Sequence, residues 1–170
     1  MSREPPGIAL VRVDNRLVHG QVLEAWLPAL DAQGILVADD EAAGNVLARS
    51  AMALAIPPRV AFQVVKVAAA ADLLRPGGKG PPAARTLLLL RDVRDAVSLR
   101  ESGVRLPRLN LGNIHFAAGR KPISPSVFLA RNEVEALQGL AAAGTQVEVR
   151  AVPTEPALSL EQIKSRFEAV

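Results

Sequence analysis

One segment near the amino terminus combines the residue types that phosphoryl chemistry requires. It reads RVDNRLVHGQ from Arg12 to Gln21 and holds one of only two histidines in the chain. A neutral imidazole near pH 7 is a good phosphoryl acceptor, and the phosphorylated ring needs guanidinium or N–H donors for its oxygens. His19 is therefore a candidate acceptor, with Arg16 and the predicted helix start at Gly20 as candidate donors.

The other polar residues of this segment have candidate supporting roles. A carboxylate that bonds one ring nitrogen of a histidine fixes its tautomer and leaves the other nitrogen as nucleophile, which is the role predicted for Asp14. Asn15, Gly20 and Gln21 are candidates for phosphate binding or loop support. Arg12 is a weaker candidate, because an arginine at a strand end often pairs with a carboxylate. The alternative is that these residues only cap a helix and face solvent, and the residue pattern alone leaves both open.

Two residues elsewhere are weaker candidates for the same site. Arg91 follows a predicted strand and could supply a second guanidinium, although such a residue more often pairs with a nearby carboxylate, here Asp92 or Asp95. His115 could be a second acid–base group, but a lone histidine in a loop is more often a surface or structural residue.

Several other kinds of site are excluded by what the sequence lacks. The chain has no cysteine, which excludes thiolate chemistry and fits a reducing compartment. Neither histidine lies at metal-ligand spacing with other ligands, and no G-x-G-x-x-G follows the first predicted strand. The glycine stretch at 77–80 lacks the spacing and the Ser or Thr of a phosphate-binding loop. We therefore expect neither a metal nor a cofactor.

Length, charge and hydropathy bound the class of protein. A chain of 170 residues predicts a single domain, 1–170, with residues 1–7 as a flexible amino-terminal extension. The net charge is only +3, the basic residues are spread along the chain, and aromatic residues are few, so nucleic-acid binding is not expected. No apolar run is long enough to span a membrane and no export signal is evident, which predicts a cytoplasmic protein.

Predicted strands and helices alternate along the chain. Strands are predicted at 8–13, 34–38, 60–67, 86–90, 106–111, 126–129 and 146–152, and helices at 20–30, 41–55, 68–74, 93–101, 132–143 and 160–168. This alternation predicts an α/β fold with an open, mostly parallel sheet and helices on both faces. The His19 loop follows the first strand, where such folds place their chemistry. Trp26 lies on the apolar side of the first helix, which favours core packing.

The segment from Arg12 to Val22, with Trp26 beyond it, resembles the active-site segment of the mannose-family enzyme IIB proteins of the bacterial sugar phosphotransferase system. Further similar segments lie at 35–41, at Pro57-Pro58, and at 87–90, 109–112 and 146–150. The resemblance covers essentially the whole chain.

This resemblance implies a doubly wound, mostly parallel sheet of about seven strands. It also implies a phosphocarrier that takes a phosphoryl group from a phosphohistidine of an enzyme IIA partner. The group then passes to an incoming sugar with membrane permease components, which would place the chain at the inner membrane face. His19 matches the phosphorylated position, and by position Arg16 would hold the phosphoryl oxygens while Asp14 orders the loop. A homodimer is compatible with the sequence, although no heptad or apolar stripe predicts one.

The sequence departs from the family pattern at Leu90-Arg91-Asp92 and at Gly112-Asn113, which leaves partner and sugar specificity open. One alternative function is regulatory: phosphorylated His19 would report phosphorylation state to a protein partner without sugar transport. Another is a silent binding module that keeps the fold and takes up no phosphoryl group.

Overall fold

Strands and helices alternate along the part of the chain that the structure, a computed structural model, describes: residues 7–170. The strands are β1 Ile8–Asp14, β2 Gly34–Ala38, β3 Ala61–Val65, β4 Thr86–Leu90, β5 Arg108–Asn113, β6 Lys121–Ser124, β7 Val127–Leu129, β8 Gln146–Val149 and β9 Leu158–Ser159. The helices are α1, with a π-helical turn Val22–Trp26 followed by Leu27–Leu30, then α2 Asp40–Ala43, α3 Val46–Ala55, α4 Val67–Leu74, α5 Val93–Glu101, α6 Arg131–Ala142 and α7 Leu160–Glu168. Of the predicted extension 1–7, all but Gly7 lies outside the described residues.

Seven strands form one sheet in the order β3-β2-β4-β1-β5-β8-β9. Every neighbouring pair is parallel except β8 with β9, and β6 and β7 form a separate antiparallel hairpin. The predicted open, mostly parallel sheet is therefore confirmed. Because β1 lies between β4 and β5, the central strand carries the segment that leads into the His19 loop.

Apolar strands explain why helices cover both faces of this sheet. All five residues of β4 are buried, and its leucines alternate between two hydrophobic cores, with Leu88 and Leu90 in the first and Leu87 and Leu89 in the second. Residues of α4, α5, α6 and α7 pack in the first core, and residues of α1 and α2 pack in the second. Two apolar faces require two helical layers, as the run of leucines indicates.

The structure differs from the sequence prediction in the segment 41–55 and in two strands. The prediction of a single helix there was wrong, because two helices are present. Helix α2 is capped by Asp39 and ends at Gly44, and α3 begins after Asn45, whose side chain accepts a hydrogen bond from the N–H of Ala48. A local cap thus overrides helical periodicity. Strands β6 and β9 were not predicted, because β6 contains a proline and β9 has only two residues.

No helix in residues 7–170 is long and apolar enough to cross a membrane.

Helix α3 has no buried residue, and its Leu54 side chain is 88% exposed, whereas Leu89 of β4 is fully buried. These two leucines occupy opposite extremes of packing in one chain.

We therefore expect Leu89→Ala to lower the free energy of unfolding by about 2–5 kcal/mol, because it opens a cavity between the strands and α1. The matched substitution Leu54→Ala removes the same atoms from an exposed position and should change it by less than about 0.5 kcal/mol. Urea unfolding followed by circular dichroism measures both. Equal losses for the two variants would contradict the packing described here.

Candidate active site at the carboxyl edge of the sheet

The loop from Asn15 to Gln21 lies where the connections of three central strands diverge. β1, β4 and β5 run parallel, so their carboxyl ends meet at one edge. From there the chain after β1 enters α1 in the second core, whereas the chains after β4 and β5 lead to α5 and α6 in the first. Such a divergence leaves a crevice at the strand ends, which is where α/β folds bind their ligands.

His19 is held by Asp14 at the end of β1. Its Nε2 lies 2.8 Å from Oδ2 of Asp14, and the carboxylate is fully buried while the imidazole is 12% exposed. A buried carboxylate only accepts hydrogen bonds, so the Nε2 atom carries the proton in this contact. Within the described residues Nδ1 makes no hydrogen bond. The arrangement leaves Nδ1 as the nitrogen with a free lone pair.

Arg12, a fully buried side chain of β1, lies behind this pair. Its Nε and Nη2 atoms donate to Oδ2 of Asp14 at 3.3 and 3.2 Å. The remaining acceptors, at 2.7–3.1 Å, are the side chains of Asn110 and Gln21 and the backbone carbonyls of Arg150 and Ala151. Every nitrogen of the guanidinium is bonded inside the protein, so Arg12 supports the loop and is not available to a ligand.

The charges of this cluster shift the pKa of both partners. Burial alone would raise the pKa of Asp14, but the hydrogen bonds from His19 and Asn113 and the charge of Arg12 bring it below its ordinary value. Burial lowers the pKa of Arg12, although Asp14 opposes that shift. Asp14 is therefore ionised at neutral pH, which keeps it an acceptor for His19.

Trp26 and Gly112 enclose the Arg12 guanidinium. The Trp26 ring lies 5.0 Å from the guanidinium carbon, and its indole N–H donates to the Ala151 carbonyl at 2.9 Å. Trp26 is buried in the second core, as its helical spacing predicted. On the other side, a Cβ atom on Gly112 would lie 1.9 Å from the guanidinium carbon. The guanidinium thus occupies the space that a side chain at position 112 would need.

A bulge in β5 brings Asn113 to this cluster. Val13 of β1 pairs with Leu111, but the next residue, Asp14, pairs with Asn113, so Gly112 is skipped. The Asn113 side chain then donates to Oδ2 of Asp14 at 2.9 Å. From sequence alone Asn113 was only a departure from the family pattern with no role at the site, because the predicted strand ended at Leu111. A polar residue directly after an apolar strand of a parallel sheet is the signal that could have identified it.

The loop itself is a tight turn with one residue in the left-handed region. The N–H of Leu17 donates to the Asp14 carbonyl at 3.0 Å, and Leu17 has φ of 56° although its side chain is buried in the second core. A leucine in this conformation is strained by about 1–2 kcal/mol, which its burial offsets. The N–H of Arg16 donates to Oδ1 of Asp14 at 3.0 Å. The Arg16 side chain is exposed and makes no hydrogen bond or ion pair within residues 7–170.

Asn15 ties the loop to the chain after β4 and β5. Its N–H donates to the Asn113 carbonyl at 2.8 Å, and its side-chain amide donates to the Arg91 carbonyl at 3.2 Å. The side-chain oxygen accepts a hydrogen bond from the N–H of His115. The contact is made by the backbone of His115, and the residue itself is exposed. Asn15 therefore supports the loop.

Arg91 lies beside the loop but pairs with a different carboxylate from those expected. Its Nε and Nη2 atoms bond the two oxygens of Asp39 at 3.1 and 2.8 Å, and Nη1 donates to the Asn15 carbonyl at 3.3 Å. The predicted pairing with Asp92 or Asp95 was wrong. The carboxyl end of β2 lies next to β4 in the sheet, which brings Asp39 within reach.

Without that guanidinium, Asp95 remains half-buried among like charges. It accepts a hydrogen bond from the N–H of Asp92 at 3.2 Å. Burial, together with the negative charges of Asp92 and Asp39, raises the pKa of Asp95 to about 6, although that hydrogen bond and the charge of Arg94 oppose the shift.

Gly20 and Gln21 connect His19 to the start of α1 at Val22. Gly20 is exposed, and a Cβ at this position would meet no atom within 4 Å. The side-chain oxygen of Gln21 accepts hydrogen bonds from Arg12 and Asn113 at 2.9 and 3.0 Å. In residues 7–170 no group of three or more His, Asp or Glu side chains could hold a metal ion. The site thus combines a buried charge pair, an oriented imidazole and an exposed guanidinium.

Solved structures with the same architecture define the class of protein. The IIB domain of the sorbose permease from Klebsiella pneumoniae aligns with a TM-score of 0.83 and 26% identity, covering 93% of this chain and 96% of that one. The N-acetylgalactosamine-specific IIB component 1 from Escherichia coli aligns with a TM-score of 0.81 and 28% identity, covering 88% and 97%. The fold is that of the IIB domains of sugar phosphotransferase systems.

Sequence comparison shows the family directly. Residues 8–169 match the family model described as PTS system sorbose subfamily IIB component. The N-acetylgalactosamine-specific phosphotransferase enzyme IIB component 2 of Escherichia coli K12 is 32% identical, over 91% of this chain and 97% of the relative. The mannose-specific EIIAB component of the same strain is also 32% identical, over 95% of this chain, which spans only 49% of that relative's length. The chain belongs to the sorbose subfamily of IIB components of sugar phosphotransferase systems.

The contact between Gly112 and Arg12 gives a first test of this site. We expect Gly112→Ala to lower the free energy of unfolding by about 1–3 kcal/mol, because the added methyl group displaces the buried guanidinium. Gly139→Ala is the matched control, since a Cβ at that position in α6 meets no atom within 4 Å. That substitution should raise the same free energy by up to about 1 kcal/mol. Chemical unfolding distinguishes the two, and two neutral variants would contradict the close packing at position 112.

The raised pKa of Asp95 gives a second test. Because its folded pKa lies above its unfolded value, the folded protein binds this proton more tightly, and stability falls as pH rises from about 4 to about 6. Asp95→Asn removes that loss and keeps an oxygen for the Asp92 N–H. We expect the variant to be more stable than the wild type at pH 7–8 and to lose this advantage near pH 4. Thermal unfolding across pH measures it, and an advantage independent of pH would be the contrary result.

Proposed function

We propose that this chain is a phosphocarrier that accepts a phosphoryl group on His19 from a phosphohistidine of an enzyme IIA partner. The group then passes to an incoming sugar with membrane permease components. The observation that carries the proposal is the 2.8 Å contact between Nε2 of His19 and the buried, ionised Asp14. Family membership supports the chemistry, and the loop geometry supports the assignment of the residue.

Nδ1 of His19 is the proposed nucleophile. In the first transfer the P–N bond of the donor breaks as the Nδ1–P bond forms, and the proton stays on Nε2. The ring gains positive charge during this step, and Asp14 stabilises that charge through its hydrogen bond. In the second transfer the oxygen of a sugar hydroxyl bonds phosphorus as the Nδ1–P bond breaks, Nδ1 regains its lone pair, and the hydroxyl proton passes to solvent. Because both transition states are loose, the protein chiefly positions groups and stabilises charge.

Arg16 is the proposed partner of the phosphoryl oxygens. It is three residues before His19, and its guanidinium is exposed and makes no hydrogen bond within residues 7–170. By contrast, Arg12 and Arg91 are occupied by Asp14 and Asp39. An arginine is suited to the planar face of a phosphoryl group because it can donate two parallel N–H bonds.

We further propose a single domain over 1–170 that acts at the cytoplasmic side of the membrane. The described residues 7–170 share one seven-stranded sheet with a core on each face. The His19 loop lies at the edge of that sheet, where a donor domain can approach it. A positively charged Arg16 on this edge would favour a donor with an acidic face.

The test is phosphoryl uptake from phosphoenolpyruvate through the general phosphotransfer proteins and an enzyme IIA, followed by intact mass and acid lability. We expect the wild type to gain one acid-labile phosphoryl group and His19→Ala to gain none, because no other imidazole is held by a buried carboxylate in residues 7–170. Arg16→Ala should fold normally and react about ten- to a hundredfold more slowly, the loss expected for one charge-assisted hydrogen bond. Arg16→Lys should also be slower, since it cannot donate two parallel N–H bonds.

Two variants serve as controls. Arg59→Ala removes an exposed arginine before β3, at the opposite edge of the sheet, and His115→Ala removes the exposed second histidine. Both should react at nearly the wild-type rate. Equal uptake by the wild type, His19→Ala and Arg16→Ala would refute the mechanism. Release of the phosphoryl group to sugar in the presence of permease components distinguishes a carrier from a regulatory reporter.

A further inference from the structure

The side-chain amide of Asn113 contacts two residues of the loop at once. Its Nδ2 atom donates to Oδ2 of Asp14 at 2.9 Å and to Oε1 of Gln21 at 3.0 Å. Asp14 is an acceptor only, because its carboxylate is ionised, so the NH₂ group of Asn113 must face it. Asn113 is nearly buried, and both of its amide hydrogens are committed to these contacts.

These contacts also determine the orientation of the Gln21 amide. Its Oε1 accepts from Nη2 of Arg12 at 2.9 Å as well as from Asn113. A guanidinium only donates hydrogen bonds, so the oxygen of Gln21 must lie on this inner side. The NH₂ group of Gln21 is consequently left without a hydrogen bond in the described part of the chain. It follows His19 by two residues and supplies two N–H donors.

We propose that Asn113 is a positioning residue that sets two parts of the phosphoryl site with one amide group. Through Asp14 it holds the His19 ring with the proton on Nε2, and through Gln21 it turns an NH₂ group toward the phosphoryl oxygens. This inference rests on the proposed function, because it assigns a supporting residue to the same site. It differs from a purely structural role because it predicts effects on the His19 tautomer and on coupling to Gln21.

The groups around Asp14 explain why Asn113 matters for the tautomer. Asp14 is contacted by Arg12 from β1, by His19 and the N–H of Arg16 from the loop, and by Asn113 from β5. Asn113 is the donor in this set that reaches Asp14 from a neighbouring strand. Its removal leaves one direction of the carboxylate without a donor and lets the carboxylate rotate away from Nε2.

The experiment compares Asn113→Ala, Gln21→Ala, the double variant and Gln21→Glu. Gln21→Glu keeps an acceptor for Arg12 and Asn113, removes the free N–H donors and adds a negative charge, whereas Gln21→Ala removes the donors without adding a charge. Asn132→Ala, an exposed asparagine in α6, is the matched control. The measurements are ¹⁵N chemical shifts of the His19 ring and the rate of phosphoryl uptake at saturating donor.

We expect Asn113→Ala to lose the preference for the Nε2–H tautomer and to react about tenfold or more slowly, whereas Asn132→Ala keeps both wild-type values. Gln21→Ala and Gln21→Glu should each react about tenfold more slowly with the wild-type tautomer retained. The double variant should be slower than Asn113→Ala alone by clearly less than tenfold, because without Asn113 the Gln21 amide is held only by Arg12 and is less firmly oriented.

The outcomes separate this inference from the proposed function. If the wild type takes up a phosphoryl group on His19 but Asn113→Ala keeps its tautomer and rate, the positioning role is overturned and the carrier function stands. Fully additive losses in the double variant would overturn the coupling to Gln21. If Asn113→Ala does not fold, Gln21→Glu still decides the second part, since a wild-type rate in that variant would refute the donor role. Absence of uptake by the wild type refutes the proposed function itself.

Discussion

The buried ion pair between Arg12 and Asp14 is the constraint on which the rest of the site depends. Both side chains are fully buried. Asp14 is the main group that opposes the lowering of the Arg12 pKa, whereas the pKa of Asp14 is lowered first by hydrogen bonds from His19 and Asn113 and then by the charge of Arg12. Removing one partner from such a pair leaves an uncompensated charge, at a cost of about 3–5 kcal/mol. The carbonyls of Arg150 and Ala151 accept hydrogen bonds from the guanidinium, and the Trp26 ring packs against it. The absence of a side chain at Gly112 leaves room for it. The imidazole is oriented because Arg12, the N–H of Arg16 and Asn113 together hold the Asp14 carboxylate.

The three arginines near the loop differ in whether they are paired. Arg12 pairs with buried Asp14 and Arg91 pairs with Asp39, whereas the exposed Arg16 side chain forms no hydrogen bond or ion pair within residues 7–170. The strained turn at Leu17 places Arg16 and the imidazole on one short segment. A phosphoryl acceptor needs an imidazole held in place, here by Asp14 and Arg12, and a nearby exposed cation, here Arg16. The cation is needed because the transferred group is negatively charged.

Much of this could be predicted from the sequence, and the failures have physical causes. The buried run at β4 and helices α5 and α7 follow from local apolar patterns, and those predictions match their observed bounds. The loop was recognisable because Asp14 and His19 are close in sequence. Asn113 was not, since its role depends on a one-residue bulge between strands that lie about a hundred residues apart along the chain. The partner of Arg91 depends on which strand neighbours β4, a property of topology that composition does not specify.

Because Gly112 has no side chain, the residue types at positions 12 and 112 restrict each other. Positions 12 and 112 share one volume, so a side chain at position 112 fits without strain only beside a shorter residue at position 12. A duplicated gene that has lost phosphoryl chemistry is released from this restriction and is free to fill the space with an apolar pair. An apolar pair at these two positions would therefore mark a chain of this fold that lacks the buried ion pair.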